Sequence, residues 1–309
     1  AEFGVSLSRV KVNATNTSKV PNTSATAASA GADLNGMAIK NAIDILKSRI
    51  ANAIAQHVNE EHSNDPTHAE DVIFENDEII DRSHPQRRIA FSEAMGLMNF
   101  MQVPLSATGF YKTPNVFFDK EKGSGRPFHY FAFGMCVSEV LVDTLTGRHT
   151  ILRTDILHDV GDSLNPQIDI GQVEGGYIQG VGWCTTEEIK WDDKGNLLTH
   201  SPDTYKIPSV QDIPKDFRTQ LLQNVPNENA IRKSKAVAEP PFMLALATWL
   251  AIKDAISAVA NHEFEPEFSL PATNEVIVLS IEKLKSQMQE KILHEKEFAG
   301  EVEFWNPKC

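Results

Sequence analysis

The sequence has few cysteines and no excess of positive charge. Its three cysteines, Cys136, Cys184 and Cys309, are odd in number and far apart, which argues against a disulfide framework or a four-cysteine metal site. Because iron–sulfur clusters need about four thiolates, this chain by itself could hold none. The net charge of −13 leaves little to offset the repulsion of phosphate groups, so we expect no nucleic-acid partner.

The chain also has no recognisable secretion signal and no apolar run of membrane-spanning length. Its first residues lack the basic and apolar pattern of a leader, and the longest apolar run, residues 240–252, is too short to cross a bilayer. We therefore expect a soluble protein with no membrane partner, located in the cytoplasm, where reducing conditions suit free thiols. Since the chain begins with Ala1 instead of methionine, we also expect it to be part of a longer protein.

Apolar residues recur at helical spacing in several parts of the chain. Residues 242–259 are apolar on nearly every face, which predicts a buried helix. The glycine-rich residues 168–182 are predicted to open a further helix. A long amphipathic helix is predicted from Asp33 onward, because five apolar residues recur every three or four positions. They are Ile39, Ile43, Leu46, Ile50 and Ile54.

Other segments have the composition and alternation of β-strands. Residues 136–143 and 149–156 flank a turn and predict a hairpin, and residues 184–191 and 197–200 predict a second one. Residues 10–12 predict a short strand. Because strands and helices do not alternate strictly, we expect an α+β fold with mixed sheets and packed helices.

We expect the whole chain to form one region made of two α+β lobes. The first lobe covers about residues 1–60 and the second about residues 100–290. Residues 57–88 between them are polar and acidic, which is typical of a solvated connector. His57 and His62 in this segment are five residues apart, a spacing that does not place both imidazoles on one helix face as metal ligands.

Glu239 is the residue that we consider first for chemistry. It follows the small and apolar Ala236, Val237 and Ala238 and precedes two prolines. Loss of water from a carboxylate raises its pKa, so a shielded Glu239 would be poised as a general base near neutral pH. The alternative is structural, because a glutamate before two prolines also suits the start of a helix, where its charge meets the positive end of the helix dipole.

Two further segments could contact a ligand. Small residues at 26–31 precede the helix predicted from Asp33, and their backbone N–H groups could converge on an anion such as a phosphate. Alternatively, this loop is a plain helix start with Ser29 or Asp33 as the capping side chain. Gln179 lies among the glycines of residues 175–182, whose spacing permits close helix packing or close ligand approach. Its amide could hydrogen-bond a heteroaromatic ring such as a pterin, or could be buried and satisfied by backbone.

Eight segments in a fixed order carry a family resemblance. They are residues 21–29, 33–36, 105–114, 155–161, 163–166, 169–175, 204–208 and 234–237. In this order they resemble the C-terminal molybdenum-cofactor-binding part of the molybdenum hydroxylases, the family of xanthine dehydrogenase and aldehyde oxidase. The resemblance covers nearly the whole chain and is weakest in the acidic connector and after Leu284.

The resemblance implies that the chain binds the molybdenum cofactor, molybdopterin. The loop residues that it implies around the pterin are Ala27, Ala28, Ser29, Ala30 and Gly31. It implies that the main chain of Ala28 lies against the molybdenum centre and that Gln179 lies near the cofactor. It also implies that Glu239 is the general base for hydroxylation of an electron-poor ring carbon.

The resemblance further implies parts of the protein that this chain lacks. These are an upstream molybdenum-binding half and domains or a subunit with 2Fe-2S clusters and FAD. We expect part of an enzyme of the xanthine dehydrogenase type, which hydroxylates hypoxanthine and xanthine to urate, and we expect the isolated chain to be inactive. The alternatives are a related hydroxylase of aldehydes or N-heterocycles and a non-catalytic cofactor scaffold. The family usually has glycine at the position of Ala238, and the added methyl group could crowd the cofactor.

Overall fold

The computed structural model describes residues 2–19, 27 and 29–303, with side chains through residue 295. The chain divides into two compact units, Ala1–Tyr130 and Phe131–Cys309. Helices and sheets occur in both units, and the sheet of the second unit contains both parallel and antiparallel pairs. These features confirm the α+β class.

The first unit is built on one long helix and a small antiparallel sheet. Its elements are α1 (Gly31–Glu61), β1 (Val72–Glu75), β2 (Glu78–Asp81), β3 (Arg88–Ala90), α2 (Phe91–Phe100), β4 (Phe117–Asp119) and β5 (Ser124–Arg126). The apolar stripe of α1 buries Ile50 and Ile54 against Ile79 of β2 and Met98 of α2, as the spacing of its apolar residues predicts. The sheet has the order β1-β2-β3, and β4 and β5 form a separate hairpin.

The second unit packs helices against one face of a three-stranded sheet. Its elements are β6 (Gly134–Val142), β7 (His149–His158), α3 (Pro166–Thr185), β8 (Asp216–Leu221), α4 (Leu246–Ser257) and α5 (Asn274–Glu303). The strand order is β6-β7-β8, with β6 antiparallel and β8 parallel to β7. The predicted hairpin of β6 and β7 is therefore confirmed. Tyr177 of α3 is fully buried, and its hydroxyl lies 2.9 Å from Thr154 Oγ1 of β7 and 2.6 Å from Thr248 Oγ1 of α4, which ties the three elements together.

Much of the predicted acidic connector is folded. Residues 72–90 form β1, β2 and β3, so the charge of this segment does not indicate a purely solvated link. Asp81 is buried, accepts a hydrogen bond from Thr67 Oγ1 at 2.6 Å and lies 2.9 Å from His84 Nδ1. Because these partners satisfy the carboxylate, an acidic residue is accommodated inside the first unit.

Three other local predictions were wrong. Residues 10–12 form no strand, and of the second hairpin only a single bridge between Trp191 and Leu197 is present. Helix α4 and the preceding 3₁₀ helix, Pro240–Ala245, are not buried on nearly every face, because Met243 and Leu250 are exposed. An apolar composition alone does not tell how many sides of a helix find packing partners.

The helical run Pro240–Ala260 is 21 residues long and is apolar enough to cross a membrane by length and composition. The expectation that this segment is too short was therefore wrong as to length. Ala245, Ile252 and Ile256 of this run are nevertheless fully buried within the second unit. These residues lie on one face of the run, whereas only 28% of its most apolar part is buried.

Candidate active site

The predicted cofactor loop lies in the first unit, directly before α1. Ala27 and Ser29 to Gly31 are described, whereas Ala28 lies outside the described residues. Ser29 adopts a φ of 55°, which is uncommon for a residue with a side chain and is found disproportionately at functional sites. The Ala30 N–H donates to the Ala27 carbonyl oxygen at 3.3 Å, so the loop makes a tight turn before the helix.

The cap residue of α1 is an alanine. It is Ala30, whose side chain makes no capping hydrogen bond. The alternative prediction, which placed Ser29 or Asp33 at the cap position, was therefore wrong. Because the first backbone N–H groups of a helix have no partner within it, an uncapped start can donate to an anionic ligand.

A half-buried acid, Asp33, follows the loop in the first turn of α1. The Tyr130 hydroxyl donates to Asp33 Oδ2, whereas Asp33 Oδ1 is buried without a hydrogen-bond partner. Burial raises the pKa of Asp33, even though the hydrogen bond from Tyr130 opposes this shift. Burial and the charge of Asp33 also raise the pKa of Tyr111. The sequence analysis missed Tyr130, which is 97 residues from Asp33 and carries no local signal of this contact.

Asp33 Oδ1, the buried oxygen without a hydrogen-bond partner, could accept a hydrogen bond from a cofactor that has N–H donors. A buried acceptor without a partner costs about 1–3 kcal/mol, and a ring N–H or amino group of a pterin would satisfy it. The small residues of the loop and the uncapped helix start suit the oxygen-rich remainder of the same cofactor. The residues present on this side therefore fit molybdopterin.

Helix α3 in the second unit uses its glycines in two different ways. A Cβ atom on Gly176 would lie 2.8 Å from the Ala238 carbonyl oxygen, and one on Gly180 would lie 2.4 Å from the Phe242 carbonyl oxygen. These two glycines therefore allow close packing of α3 against residues 238–245. A Cβ atom on Gly175 would meet nothing within 4 Å, so this glycine leaves open space beside the helix.

Gln179 lies on the exposed side of α3. It follows Gly175 by one helical turn, and both residues are exposed, so the alternative of a buried glutamine satisfied by backbone was wrong. Gln172, one heptad before Gln179, is also exposed and presents a second amide on this side of the helix. The sequence analysis did not consider Gln172, although its spacing of seven residues from Gln179 was visible.

The chain before Glu239 is anchored on the end of β7. The Lys235 ammonium forms an ion pair with the Asp159 carboxylate, and the side chains of the two residues are only 11% and 1% exposed. The Lys235 N–H donates to the Val160 carbonyl oxygen at 2.7 Å. Gly161, which follows this strand, has a φ of 62°, and a Cβ atom there would lie 2.4 Å from the Lys233 carbonyl oxygen. The segment is thus held by backbone contact and by a buried pair of charges.

Glu239 occupies the cap position of the 3₁₀ helix Pro240–Ala245 and is exposed. The expectation that this chain shields its side chain from solvent was therefore wrong. The side chain accepts no capping hydrogen bond from the helix, whereas the Glu239 carbonyl oxygen accepts one from the Phe242 N–H at 3.0 Å. Ala238 has no positive φ, so its methyl group does not strain the backbone in front of Glu239.

Comparison with known proteins shows the family of the chain. The model of the molybdopterin cofactor-binding domain family matches residues 1–214. The chain belongs to this family. The match includes the loop at residues 27–31 and Gln179, and it ends before Glu239.

Individual relatives extend the similarity over most of the chain. The chain is 44% identical to xanthine dehydrogenase/oxidase of Gallus gallus over 278 residues, which are 89% of this chain and 18% of that protein. It is 46% identical to the protein of the same name from Mus musculus over 82% of this chain and 17% of that protein. It is 44% identical to xanthine dehydrogenase of Dictyostelium discoideum, over 83% of this chain and 17% of that protein. The chain therefore spans less than a fifth of the length of these relatives.

Solved structures share the fold. Quinoline 2-oxidoreductase from Pseudomonas putida 86 superposes with a TM-score of 0.68 at 26% identity, covering 83% of this chain and 30% of that one. CO dehydrogenase from Oligotropha carboxidovorans superposes with a TM-score of 0.65 at 23% identity, covering 82% of this chain and 29% of that one. The second likeness supports the fold alone.

Proposed function

We propose that this chain is the cofactor-holding part of a molybdenum hydroxylase of the xanthine dehydrogenase type, which converts hypoxanthine and xanthine to urate. The observation that carries the proposal is the identity of 44–46% with xanthine dehydrogenases over more than four fifths of the chain. The uncapped start of α1 and the orphaned oxygen of Asp33 support it from the side of the structure.

The loop at residues 27–31 holds the cofactor in this proposal, with the main chain of Ala28 nearest to the metal. Gln179 contributes a hydrogen-bonding amide from α3. When bound, molybdopterin carries the molybdenum that supplies the two-electron redox chemistry of hydroxylation. The protein supplies small side chains that let the main chain approach the group closely, and backbone donors for its anionic part.

Glu239 acts as the general base and accepts a proton on its carboxylate. The ion pair of Lys235 with Asp159 fixes the chain on one side of Glu239, and Pro240 and Pro241 restrict it on the other. A base held in this manner keeps its orientation without a capping bond to the helix. Since Glu239 is exposed in this chain, the surroundings that remove water from it belong to other parts of the protein, together with the groups that orient the purine.

The same proposal defines the partners of the chain. An upstream molybdenum-binding half completes the substrate cavity, and domains or a subunit with 2Fe-2S clusters and FAD accept the electrons. The isolated chain does not turn over xanthine. We also infer a cytoplasmic location, which Cys136 and Cys184 support as free thiols.

A second candidate substrate class is the N-heterocycles other than purines. The structural likeness to quinoline 2-oxidoreductase, at 26% identity, is the observation that favours it. Turnover of xanthine, quinoline and an aldehyde by the full-length protein separates the two classes. Preference for quinoline or the aldehyde over xanthine contradicts the purine assignment and leaves the cofactor assignment intact.

The role of Glu239 is tested by Glu239→Gln in the full-length protein. We expect turnover to fall by at least about a hundredfold with little change in KM, because the amide cannot accept the proton. Glu228→Gln is the matched control, since Glu228 is also exposed, lies in the same connecting segment and forms a surface ion pair with Lys233. Normal turnover of Glu239→Gln would show that residue 239 is merely a charge at a helix start and that the chain is a scaffold.

A further inference from the structure

The second unit contains a small polar cavity that shares no residue with the candidate active site. Its volume is about 210 Å³, and it lies between the start of β7, the end of α3 and the loop that leads into β8. The polar side chains that matter here come from Arg148, His149 and Thr150 on one side and from Gln211 and Lys215 on the other. No local sequence pattern indicates this cavity, because it joins three segments that are distant in the chain.

The cavity carries uncompensated positive charge. Neither the Arg148 guanidinium nor the Lys215 ammonium has a hydrogen-bond or ion-pair partner within the part of the chain that the structure describes. The one acidic residue of the lining, Asp212, is already engaged, because its Oδ2 lies 2.9 Å from Lys206 Nζ and accepts the Ser209 N–H at 2.6 Å. Arg148 and Lys215 are both exposed, so their charged groups are in contact with water and accessible to an ion from solution.

The cavity also contains polar groups that make no hydrogen bond to other described residues. His149 Nδ1 is buried there without a partner. The side chains of Gln211 and Thr150 likewise form no hydrogen bond to other described residues. A buried polar atom without a partner destabilises the empty cavity, so a ligand that forms hydrogen bonds with these groups would be stabilised.

The end of α3 supplies no attraction for an anion. Val181 and Thr185 of its last turn line the cavity, and the C-terminal end of a helix carries partial negative charge. The positive charge that an anion needs at this cavity therefore comes from Arg148 and Lys215.

We infer that this cavity binds a small oxyanion of the phosphate or sulfate class, with Arg148 and Lys215 as its counter-charges. Charge-assisted hydrogen bonds from guanidinium and ammonium groups are the strongest that proteins offer to such oxygens. The cavity is smaller than the roughly 300–1,000 Å³ of sites for drug-sized molecules. It therefore accommodates a free oxyanion or the phosphate group of a monoester, but not a whole purine or pterin.

Binding of inorganic phosphate to the full-length protein, measured by calorimetry, tests this inference. We expect saturable binding that Arg148→Met and Lys215→Met each weaken by at least about tenfold, a change typical of losing one charged contact. Lys194→Met is the matched control, because Lys194 is an exposed lysine in a turn and does not line the cavity, and it should bind phosphate as the unaltered protein does. Gln211→Ala, which removes no charge, should weaken binding to a smaller extent.

A second titration, with glycerol 3-phosphate, distinguishes a phosphate monoester from a free oxyanion as the ligand. Competition with inorganic phosphate at the same variants assigns a phosphate monoester, and exclusion of the monoester assigns a free oxyanion. Absence of saturable phosphate binding overturns the inference, as does an equal loss of affinity in Lys194→Met. Thermal unfolding of each variant verifies that a lost affinity does not reflect a lost fold.

Discussion

Removing one partner of the buried pair Lys235–Asp159 should destabilise the protein more than removing one partner of a nearby surface pair. Replacement of Lys235 by methionine keeps most of the side-chain length and leaves the Asp159 carboxylate, which is 1% exposed, without its counter-charge. The Gly161 N–H still donates to Asp159 Oδ1 at 2.9 Å but cannot neutralise it. Breaking a buried ion pair in this way typically costs about 3–5 kcal/mol, and we expect a loss of this size in the free energy of unfolding.

Urea unfolding followed by tryptophan fluorescence suits this experiment. All four tryptophans follow residue 130 in the sequence, so in this chain the signal reports on the second unit, where the pair lies. A lower midpoint with an unchanged slope identifies a change in stability. The matched control is Lys233→Met, which removes a partner of Glu228 from a pair whose side chains are 50% and 64% exposed, and which should leave the midpoint almost unchanged.

The double variant Asp159→Asn with Lys235→Met identifies the cause of the loss. Since no unpaired charge remains, it should be more stable than Lys235→Met alone, with an interaction energy of about 0.5–3 kcal/mol in the cycle. If Lys235→Met unfolds no earlier than Lys233→Met, the pair does not anchor the segment before Glu239. If the double variant is as unstable as the single one, the loss comes from altered packing and not from an uncompensated charge.

Two further predictions concern acid stability and helix packing. Burial lowers the pKa of His158 from 6.5, although the nearby charge of Asp159 opposes the shift. As the pH falls, the unfolded chain therefore takes up a proton at this residue before the folded chain does. The contribution of neutral His158 to stability is thus full above about pH 6.5 and is lost as the pH falls below it. His158→Met should reduce the change of the unfolding midpoint between about pH 7 and 5. His200→Met is the control, because His200 is exposed, and it should leave this pH dependence as it is in the unaltered protein. Equal pH profiles for the two variants would contradict the prediction. Gly180→Ala should destabilise the second unit, because its Cβ atom would lie 2.4 Å from the Phe242 carbonyl oxygen. In the control variant Gly171→Ala, on the same helix, the Cβ atom meets nothing within 4 Å, so this variant should be neutral or stabilising by up to about 1 kcal/mol. Equal melting temperatures of the two variants would show that α3 can move away from Phe242 at little cost.

Local patterns in the sequence predicted the main elements and the family. The repeat of apolar residues in α1, the hairpin of β6 and β7 and the glycine-rich part of α3 depend on neighbours a few positions away, so they were visible in the chain itself. The motifs around residues 27–31 and before Glu239 are also local. They indicated a molybdopterin-binding protein, and the match of residues 1–214 to that family confirms this.

The acidic segment shows where composition misled. Its three strands are only three or four residues long. An alternation of apolar and polar residues over so short a length cannot be recognised among many charged residues. Burial of Asp81 depends on Thr67, which is 14 residues away. No pattern within the segment could have predicted that its carboxylate would find this partner.

The sequence by itself determined which residue types stand beside a helix start, a strand or a turn. These residue types indicated the α+β class, the proposed cofactor loop and the candidate base. Only the tertiary structure decided the exposure of Glu239, the pairing of Lys235 with Asp159, the contact of Tyr130 with Asp33 and the cavity of Arg148 and Lys215. The physical reason is that burial and charge pairing arise from residues far apart in the chain, and their free energies depend on distance in space and on access of water.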